Sequence, residues 1–493
     1  MAFSRDVRYA VRMLAQNPGF TTAAVLALAL GIGANTAMFS VVDGVLLQPL
    51  PYQRPHELIQ VRSAMPRKNL PEIPMAAGDF FDYASDNSVF QHFGAFTNAA
   101  VSLTTASADP ERFVAAGVTR DFFAVFAIQP ALGRFFEPRE MEPGQDAVVV
   151  LSHGVWRERF TSNPNVLGQT LILNGRSRTV IGVAPPGFEY PPQARMWMPA
   201  ALAGNNKTRR DLHTLFALGR LKPGESVASA TTQFRTIARR LGQAYPEMDA
   251  EKDVSLKQLI DAQVGAARPA LWTLLGAVFF VLAIACANVA NLLLARGAAR
   301  QHELAVRAAL GASRTALARQ LLTESLVLAI AGGILGLGIA YGLFRALQVL
   351  APATLPRLNE IALNERALLF SLLATLATGL LFGLIPAWRL SAVDLHATLK
   401  ERTRTASRGR LRQALVVAQV AAALILLTGA GLLLRSFWEL RQVDLGFNPE
   451  QLLTLRVNLL PTKYNSSPEL QVQFARNVEA AVGALPGVQQ AGI

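Results

Sequence analysis

The side chains that usually perform chemistry are few in this sequence and do not cluster. The six histidines are scattered, and no pair has the spacing of a metal site. Cys286 is the only cysteine and lies in an apolar stretch, which excludes an intrachain disulfide and a thiolate zinc site. Neither a G-x-S-x-G elbow nor a G-x-x-x-x-G-K-[ST] phosphate loop occurs. We therefore predict no catalytic, metal or cofactor site, and no ATP binding in the P-loop manner.

The sequence is instead dominated by five apolar stretches, at residues 21–42, 271–295, 325–350, 367–387 and 413–434. Each is long enough to cross a hydrocarbon core as a helix, and none contains a carboxylate or a lysine. The chain is 51% hydrophobic and 16% charged, which is more apolar than soluble proteins usually are. We therefore predict a membrane protein with an α-helical bundle of five spans, and a soluble enzyme is excluded.

The basic residues are concentrated beside these stretches. Residues 1–20, 296–324 and 388–412 contain 3, 5 and 7 basic residues against 1, 2 and 2 acidic ones. The positive-inside rule places such segments in the cytoplasm. The net charge of +13 therefore indicates membrane topology rather than nucleic-acid binding, and the N-terminus is predicted to be cytoplasmic.

The order of these segments predicts the organisation of the chain. The N-terminal segment is amphipathic, with Val7 and Leu14 on one face and arginines elsewhere, so we expect it to lie on the inner leaflet. The first span lacks a small-x-small cleavage site after it and is interpreted as a retained anchor. The predicted parts are a cytoplasmic interfacial helix (1–20), span 1 (21–43), an extracytoplasmic α/β core domain (44–270), span 2 (271–295), a cytoplasmic coupling loop (296–324), span 3 (325–350), an outer loop (351–366), span 4 (367–387), a cytoplasmic linker (388–412), span 5 (413–434) and the start of a second, incomplete extracytoplasmic domain (435–493).

Residues 44–270 have the patterns of a folded, mixed α/β domain. Val148–Leu151 is a β-branched run, and Asn174-Gly175 between two apolar runs predicts a hairpin with a type I′ turn. Apolar residues at helical spacing between Val227 and Leu241 predict an amphipathic helix, and residues 253–260 predict a closing strand.

The interiors of the spans lack the groups that an ion-coupled carrier needs. A charge near the membrane midplane costs on the order of 3 kcal/mol, so a charged residue there usually has a function. No charged residue occurs in the middle of any predicted span. Asn35, Asn288 and Asn291 are interpreted as interhelical hydrogen-bonding groups. Glycines four residues apart predict close helix packing: Gly332, Gly336, Gly338, Gly342, Gly379 and Gly383.

The loop between spans 2 and 3 contains the sharpest motif. Residues 301–312 predict a short helix that ends at Gly311, with Glu303 and Arg307 spaced as an i,i+4 pair. Spacing alone is equally compatible with a solvated, charge-paired helix and with a docking segment.

The motif in this loop also resembles one in a known family. Its E-x-x-V-R-x-A-x-G-A pattern resembles the cytoplasmic coupling segment in permease subunits of ABC transporters of the MacB and FtsX type. Residues 171–183, with Pro185, Pro186 and Gly187, are similar to that family's extracytoplasmic core domain, and residues 385–387 resemble its post-span element, although Val393 stands where a proline is usual. The resemblance implies an ATPase-coupling role for the residues Glu303, Leu304, Val306, Arg307, Gly311 and Ala312.

A narrower resemblance concerns the N-terminus. Residues 6–14, 17–21, 30–37 and 48–52 are similar to the start of the duplicated orphan permeases of acidobacteria, in which two permease halves are fused without an ATPase. A span followed by a short outer strand also occurs twice, near residues 57–61 and 451–455. We therefore expect the chain to be a fragment, or cut short, lacking most of a second outer domain and three further spans.

The resemblance implies a fold and a function. The fold is an α-helical transmembrane bundle with a mixed α/β extracytoplasmic domain of the MacB periplasmic core type, in the inner membrane. The function is that of a permease subunit in an ABC-type export or mechanotransmission complex, with ATP hydrolysed by a separate ATPase subunit. A periplasmic adaptor or a second permease copy would be a further partner. The alternative is an FtsX-like membrane regulator that activates extracytoplasmic cell-wall hydrolases.

Overall fold

The structure, a computed structural model, describes residues 2–105, 108–200, 205–249, 251–299, 313–350, 357, 361–391, 405–443, 452–455, 457, 459, 464 and 467–492. The chain divides into two compact units. The first contains Met1–Pro49 and Gln263–Glu450, and the second contains Leu50–Ala262 and Gln451–Ile493. The first unit is helical, and the second contains the β-sheet.

Helices and strands are numbered in chain order. The α-helices are α1 (Ala2–Ala15), α2 (Pro18–Val42), α3 (Ala77–Asp86), α4 (Phe122–Val125), α5 (His153–Phe160), α6 (Asn205–Thr208), α7 (Val227–Ala244), α8 (Pro246–Asp249), α9 (Leu259–Val264), α10 (Arg268–Ala299), α11 (Arg314–Leu350), α12 (Glu365–Ser391), α13 (Thr405–Arg441) and α14 (Pro468–Gly483). The strands are β1 (Leu58–Met65), β2 (Leu70–Ile73), β3 (Met75–Ala76), β4 (Phe90–Thr105), β5 (Ala108–Val118), β6 (Leu132–Gly133), β7 (Val148–Leu151), β8 (Thr170–Leu173), β9 (Arg176–Val183), β10 (Met196–Pro199), β11 (His213–Leu221) and β12 (Asp253–Gln258).

Within the described residues, four helices are long and apolar enough to cross a membrane. They are Pro18–Leu47, Arg268–Arg296, Thr315–Leu347 and Val416–Glu439, and they overlap predicted spans 1, 2, 3 and 5. Predicted span 4 lies within α12. The count of five crossings remains a prediction.

The candidate spans are longer than the predicted apolar stretches, because their helices continue through polar residues. The first continues from α2 into a π-helical turn, Asp43–Leu47, and the third begins well before residue 325. Buried Asp43 and Glu324 therefore lie inside candidate spans. The apolar stretches 21–42 and 325–350 themselves contain no carboxylate, and these two carboxylates lie in the parts of the helices beyond them.

Helix α2 lies at the centre of the first unit, where it packs against α10, α11 and α12. Half of the residues in its most apolar window are buried, whereas none are buried in that of α13. The small residues of α2 permit this close packing, and the apolar surface of α13 is suited to lipid contact. The buried cluster between these helices contains Leu14, Ala24, Leu28, Ile32, Leu282, Cys286, Val289 and Leu328.

The second unit is built on one mixed sheet, which has twelve strands in the described part of the chain. Its main path runs β12-β1-β11-β4-β5-β10-β7-β9-β6. The pairs β5–β10 and β7–β9 are parallel, and the neighbouring pairs along the sheet are antiparallel. Apolar side chains on both faces form large clusters, for example around Phe234 of α7 and around Trp197 of β10, whose indole N–H donates to Tyr190 O at 2.8 Å.

The local predictions for this unit are confirmed where strong patterns supported them. Strand β7 has the predicted bounds, and β8 and β9 form the predicted antiparallel hairpin. Its turn residues Asn174 and Gly175 have φ angles of 51° and 75°, as a type I′ turn requires. Helix α7 buries Phe234 and Leu241 as predicted. Strand β12 ends at Gln258 rather than at residue 260, because the chain turns there into α9.

Candidate functional site

The predicted ATPase-coupling residues Glu303, Leu304, Val306, Arg307, Gly311 and Ala312 lie outside the described residues. The helices on either side of them are described. Helix α10 ends at Ala299 and α11 begins at Arg314, where Ser313 Oγ accepts from the Ala316 N–H at 3.3 Å as a helix cap. The coupling segment therefore connects the ends of two candidate spans.

Helix α1 is fastened to α2 at this end of the bundle. The side chain of Asn17 donates to Met13 O at 3.1 Å, and Thr21 Oγ1 donates to Leu14 O at 2.8 Å. Ala10 and Leu14 are buried, and Leu14 belongs to the apolar cluster of the bundle. The amphipathic pattern of α1 thus places its apolar face against the protein.

Two arginines tie α1 to the helices that flank the coupling segment. Arg296, near the end of α10, donates to Met13 O at 3.0 Å, and its guanidinium lies 5.0 Å from the centre of the Phe20 ring. Arg319, near the start of α11, donates to Asp6 Oδ2 at 2.7 Å. Helix α1 is therefore bonded to the described ends of both helices next to the coupling segment.

The predicted packing glycines divide into two groups. A Cβ on Gly332 would lie 2.7 Å from Leu28 Cβ, and one on Gly336 would lie 3.0 Å from Ala29 O. A Cβ on Gly379 would lie 3.1 Å from Ala329 Cβ, and one on Gly383 would lie 2.9 Å from Ser325 Cβ. Gly338 and Gly342 have no described atom within 4 Å of that position, so close packing at these two stays a prediction.

Other close contacts in the bundle are made by residues that sequence analysis did not select. A Cβ on Gly33 would lie 2.7 Å from Gly336 O, so α2 and α11 approach as closely here as at Gly332. Gly31 and Gly33 are two residues apart, so they lie outside the four-residue repeat that predicts close helix packing. The interhelical bond expected of Asn35 is present, because its Nδ2 donates to Val278 O at 2.8 Å.

At the opposite end of α2, a buried carboxylate joins two helices. Asp43 is only 1% exposed and opens the π-helical turn. It accepts hydrogen bonds from Gln48 Nε2 at 3.0 Å and Asn364 Nδ2 at 2.7 Å, and Arg366 Nη1 lies at 3.5 Å. Asn364 is held in place because its Oδ1 caps α12 by accepting from the Ala367 N–H at 2.9 Å. The start of α12 is thereby bonded to the end of α2.

Arg357 adds a second tie at this point. Its guanidinium donates to Val45 O at 3.1 Å, Gln48 O at 2.7 Å and Pro49 O at 3.1 Å. These carbonyls lie where the helix ends and its backbone groups lose their intrahelical partners. Arg357 therefore holds the backbone that follows the end of α2. We call Asp43, Asn364, Arg366 and Arg357 the exit lock.

A cavity inside the bundle is small. It is lined by Leu28, Cys286, Ser325 and Thr378, among others, and has a volume of about 10 Å³. That is roughly the room needed by a single water molecule. It is too small to hold a transported solute.

The second unit contains a buried cluster of charges. Arg210 Nη1 lies 2.7 Å from Asp79 Oδ1 and 3.1 Å from Asp249 Oδ2, and Lys252 Nζ lies 2.8 Å from Asp79 Oδ2 and 2.6 Å from Asp249 Oδ1. Burial raises the pKa of Asp79 despite the attraction of Lys252. Because each charge faces an opposite one, the cluster holds α3 and α8 to the residues just before β11 and β12. In the described residues, no group of three histidine, cysteine or acidic residues could hold a metal ion.

Two sequence models of known domains match the chain. The MacB-like periplasmic core domain matches residues 21–237, and the FtsX-like permease C-terminal domain matches residues 275–395. Together they cover more than half of the chain and include most of α2, strands β1 to β11, most of α10 and all of α11.

Individual relatives agree with these matches. The macrolide export ATP-binding/permease proteins MacB of Shigella boydii serotype 4 (strain Sb227) and Escherichia coli (strain K12) are each 27% identical over 286 residues. The match covers 56% of this chain and 42% of each relative, so it spans less than half the length of these curated proteins.

Two solved structures are similar at low identity. The periplasmic region of MacB from Actinobacillus actinomycetemcomitans is 16% identical, with a TM-score of 0.33, covering 47% of this chain and 97% of that one. The extracellular domain of the noncanonic ABC-type transporter YknZ from Gram-positive bacteria is 15% identical, with a TM-score of 0.31, covering 40% and 99%. The family assignment therefore depends on the sequence models.

Proposed function

Because this chain belongs to the family of MacB/FtsX-type permeases, we propose that it is the transmembrane subunit of an ABC-type complex. A separate ATPase subunit would hydrolyse ATP at the cytoplasmic face of the inner membrane. The permease would convert that turnover into movement of its extracytoplasmic domain. We propose five crossings and a cytoplasmic N-terminus, as the distribution of arginines predicts.

The observation that carries this proposal is the attachment of α2 at both ends. At one end, α1 joins α2 to the helices that flank the coupling segment, through Arg296 and Arg319. At the other end, the exit lock holds α2 where the chain continues into the second unit. A helix packed along its length and fastened at both ends transmits displacement rather than absorbing it.

The ATPase subunit would bind the permease at the coupling segment. In this proposal the residues that dock on the ATPase are Glu303, Leu304, Val306, Arg307, Gly311 and Ala312. The close approaches at Gly332, Gly336, Gly379 and Gly383 keep the bundle rigid, because any separation of the helices would lose dispersion contacts.

Charge reversal at Arg307 tests the coupling assignment. We expect Arg307→Glu to abolish binding of the ATPase subunit and its stimulated hydrolysis, while membrane insertion is unchanged. Arg408→Glu makes the same charge change in the predicted cytoplasmic linker and should leave both properties intact. Unchanged ATPase binding and stimulation in the Arg307 variant would refute the assignment.

Two further measurements separate the alternatives. A cysteine at position 302, in a Cys286→Ser background, should react only with thiol reagents that reach the cytoplasm, and labelling from outside would refute the topology. Export and regulation share this geometry. They are distinguished by whether the full chain with its ATPase moves a solute or instead activates a cell-wall hydrolase.

A further inference from the structure

Three arginines of α1 form a continuous exposed face. Arg5, Arg8 and Arg12 are all exposed, and their spacing places them within about 60° of arc at 100° per residue. Ala10 and Leu14, on the other side of the helix, are buried in the protein. Among the described residues, none accepts a hydrogen bond from these three guanidiniums or forms an ion pair with them. We call Arg5, Arg8 and Arg12 the arginine face.

The contacts of α1 determine its depth in the membrane. Arg296, which bonds to Met13, is the last residue of the candidate span Arg268–Arg296. Arg319, which bonds to Asp6, lies in the first turns of Thr315–Leu347. Both contacts therefore place α1 where two spans meet the aqueous phase, which is the level of the lipid headgroups.

We infer that the arginine face binds the phosphate groups of anionic phospholipids. A guanidinium presents a planar fork of donors that matches a phosphate, and basic residues beside a span are attracted to anionic lipid. Val11 is 52% exposed next to Arg8 and Arg12, so α1 presents an apolar side chain beside its charges, as helices at this interface do. This lipid binding is separate from the proposed function and does not depend on which ATPase is the partner.

The depth of α1 favours lipid over an acidic protein surface. The helix is separated from the span that starts at Pro18 by two residues, and its arginines cannot move far from the headgroups. Arg296 and Arg319 lie at the same depth but are already bonded within the protein. The arginine face is thus the part of this basic cluster that is available to an external phosphate.

The inference is tested on the purified full chain by native mass spectrometry with added phosphatidylglycerol or phosphatidylcholine. The wild-type chain should retain phosphatidylglycerol preferentially. Replacing Arg5, Arg8 and Arg12 together by glutamine should lower that preference by about fivefold per arginine, or on the order of 100-fold in total. The control removes three exposed arginines of the second unit, Arg157, Arg176 and Arg239, and should leave lipid binding unchanged.

A lysine triple variant at positions 5, 8 and 12 keeps the charge and should keep most of the preference for phosphatidylglycerol. The loss of preference in the glutamine variant would then follow the loss of charge rather than misfolding. Added salt should weaken binding, because the sites are exposed. Equal phosphatidylglycerol retention by the wild-type chain and the glutamine variant would overturn the inference. So would full displacement of the lipid by inorganic phosphate at matched ionic strength, or loss of ATPase-subunit binding with unchanged lipid binding.

Discussion

Replacing Asp43 by alanine removes the carboxylate at the centre of the exit lock. The side chain is 1% exposed and accepts hydrogen bonds from Gln48 and Asn364, at 3.0 and 2.7 Å. The substitution leaves these two amides and the Arg366 guanidinium facing an apolar methyl group. We expect the bundle to lose stability and the end of α2 to separate from the start of α12.

The magnitude follows from the three contacts. A hydrogen bond to a charged group contributes about 1.5–3 kcal/mol, so Gln48 and Asn364 together give about 3–6 kcal/mol. Arg366 is 62% exposed and 3.5 Å away, so its ion pair adds less than about 1 kcal/mol. The variant also avoids the cost of burying the carboxylate, which is several kcal/mol. The net expected loss is about 2–4 kcal/mol, because removing one member of a buried polar network leaves the others unpaired.

The assay is the free energy of unfolding in mixed detergent micelles, followed by circular dichroism. Asp43→Asn should cost less than Asp43→Ala, since its amide oxygen still accepts from Asn364. Glu439→Ala is the matched control, because that carboxylate is also on a candidate span but is exposed and paired with the exposed Arg435. Its cost should stay below about 1 kcal/mol.

A double-mutant cycle gives the refuting result. Asp43→Ala and Asn364→Ala remove the two sides of the same 2.7 Å bond, so their effects should be coupled by about 1–3 kcal/mol. Additivity within about 0.5 kcal/mol would show that the two side chains act independently. The exit lock would then not join α2 to α12, and α2 would lack the second attachment that the proposed transmission requires.

Two other substitutions test the packing of the bundle and the second unit. Gly33→Ala should destabilise the bundle by about 1–3 kcal/mol, because its Cβ would lie 2.7 Å from Gly336 O. Gly338→Ala has no described neighbour within 4 Å of its Cβ and should instead gain up to about 1 kcal/mol of helix propensity. Equal melting temperatures for the two variants would contradict this expectation. Burial raises the pKa of Glu140, but hydrogen bonds from Arg134 and the Glu137 N–H outweigh burial and hold this pKa below its ordinary value of 4.5. This carboxylate therefore stabilises the fold fully above that value, and the contribution is lost as the pH falls through the lower pKa of the folded state. The difference in thermal stability between the wild-type chain and Glu140→Gln should thus shrink between neutral pH and about pH 3, and a constant difference would refute the linkage.

The sequence predicted the elements whose signals are local. Twenty apolar residues in a row predict a span whatever surrounds them, which is why four predicted spans overlap candidate membrane helices. The Asn174-Gly175 turn was predictable for the same reason, since the φ angles it requires are intrinsic to those two residues.

Contacts between distant residues could not be predicted in this way. Asp43 and Asn364 are 321 residues apart, and nothing in either neighbourhood indicates the other. Asp43 lay one residue beyond an apolar stretch and was taken as the end of a span, whereas the helix continues through it as a π-turn. Hydropathy measures the average apolarity of a window and does not detect a carboxylate whose charge is satisfied by partners from another helix.

The sequence also does not show which arginines form contacts within the protein. The positive-inside rule counts each basic residue equally, and for predicting topology that is sufficient. The structure separates them by what they contact: Arg296 and Arg319 bond to α1, whereas Arg8 and Arg12 point away from the protein. Arginines of the first kind bond α1 to the helices next to the coupling segment, and those of the second kind are the ones that we propose to bind phospholipid. The same compositional signal therefore comprises arginines with two kinds of surroundings, and the packing of α1 distinguishes them.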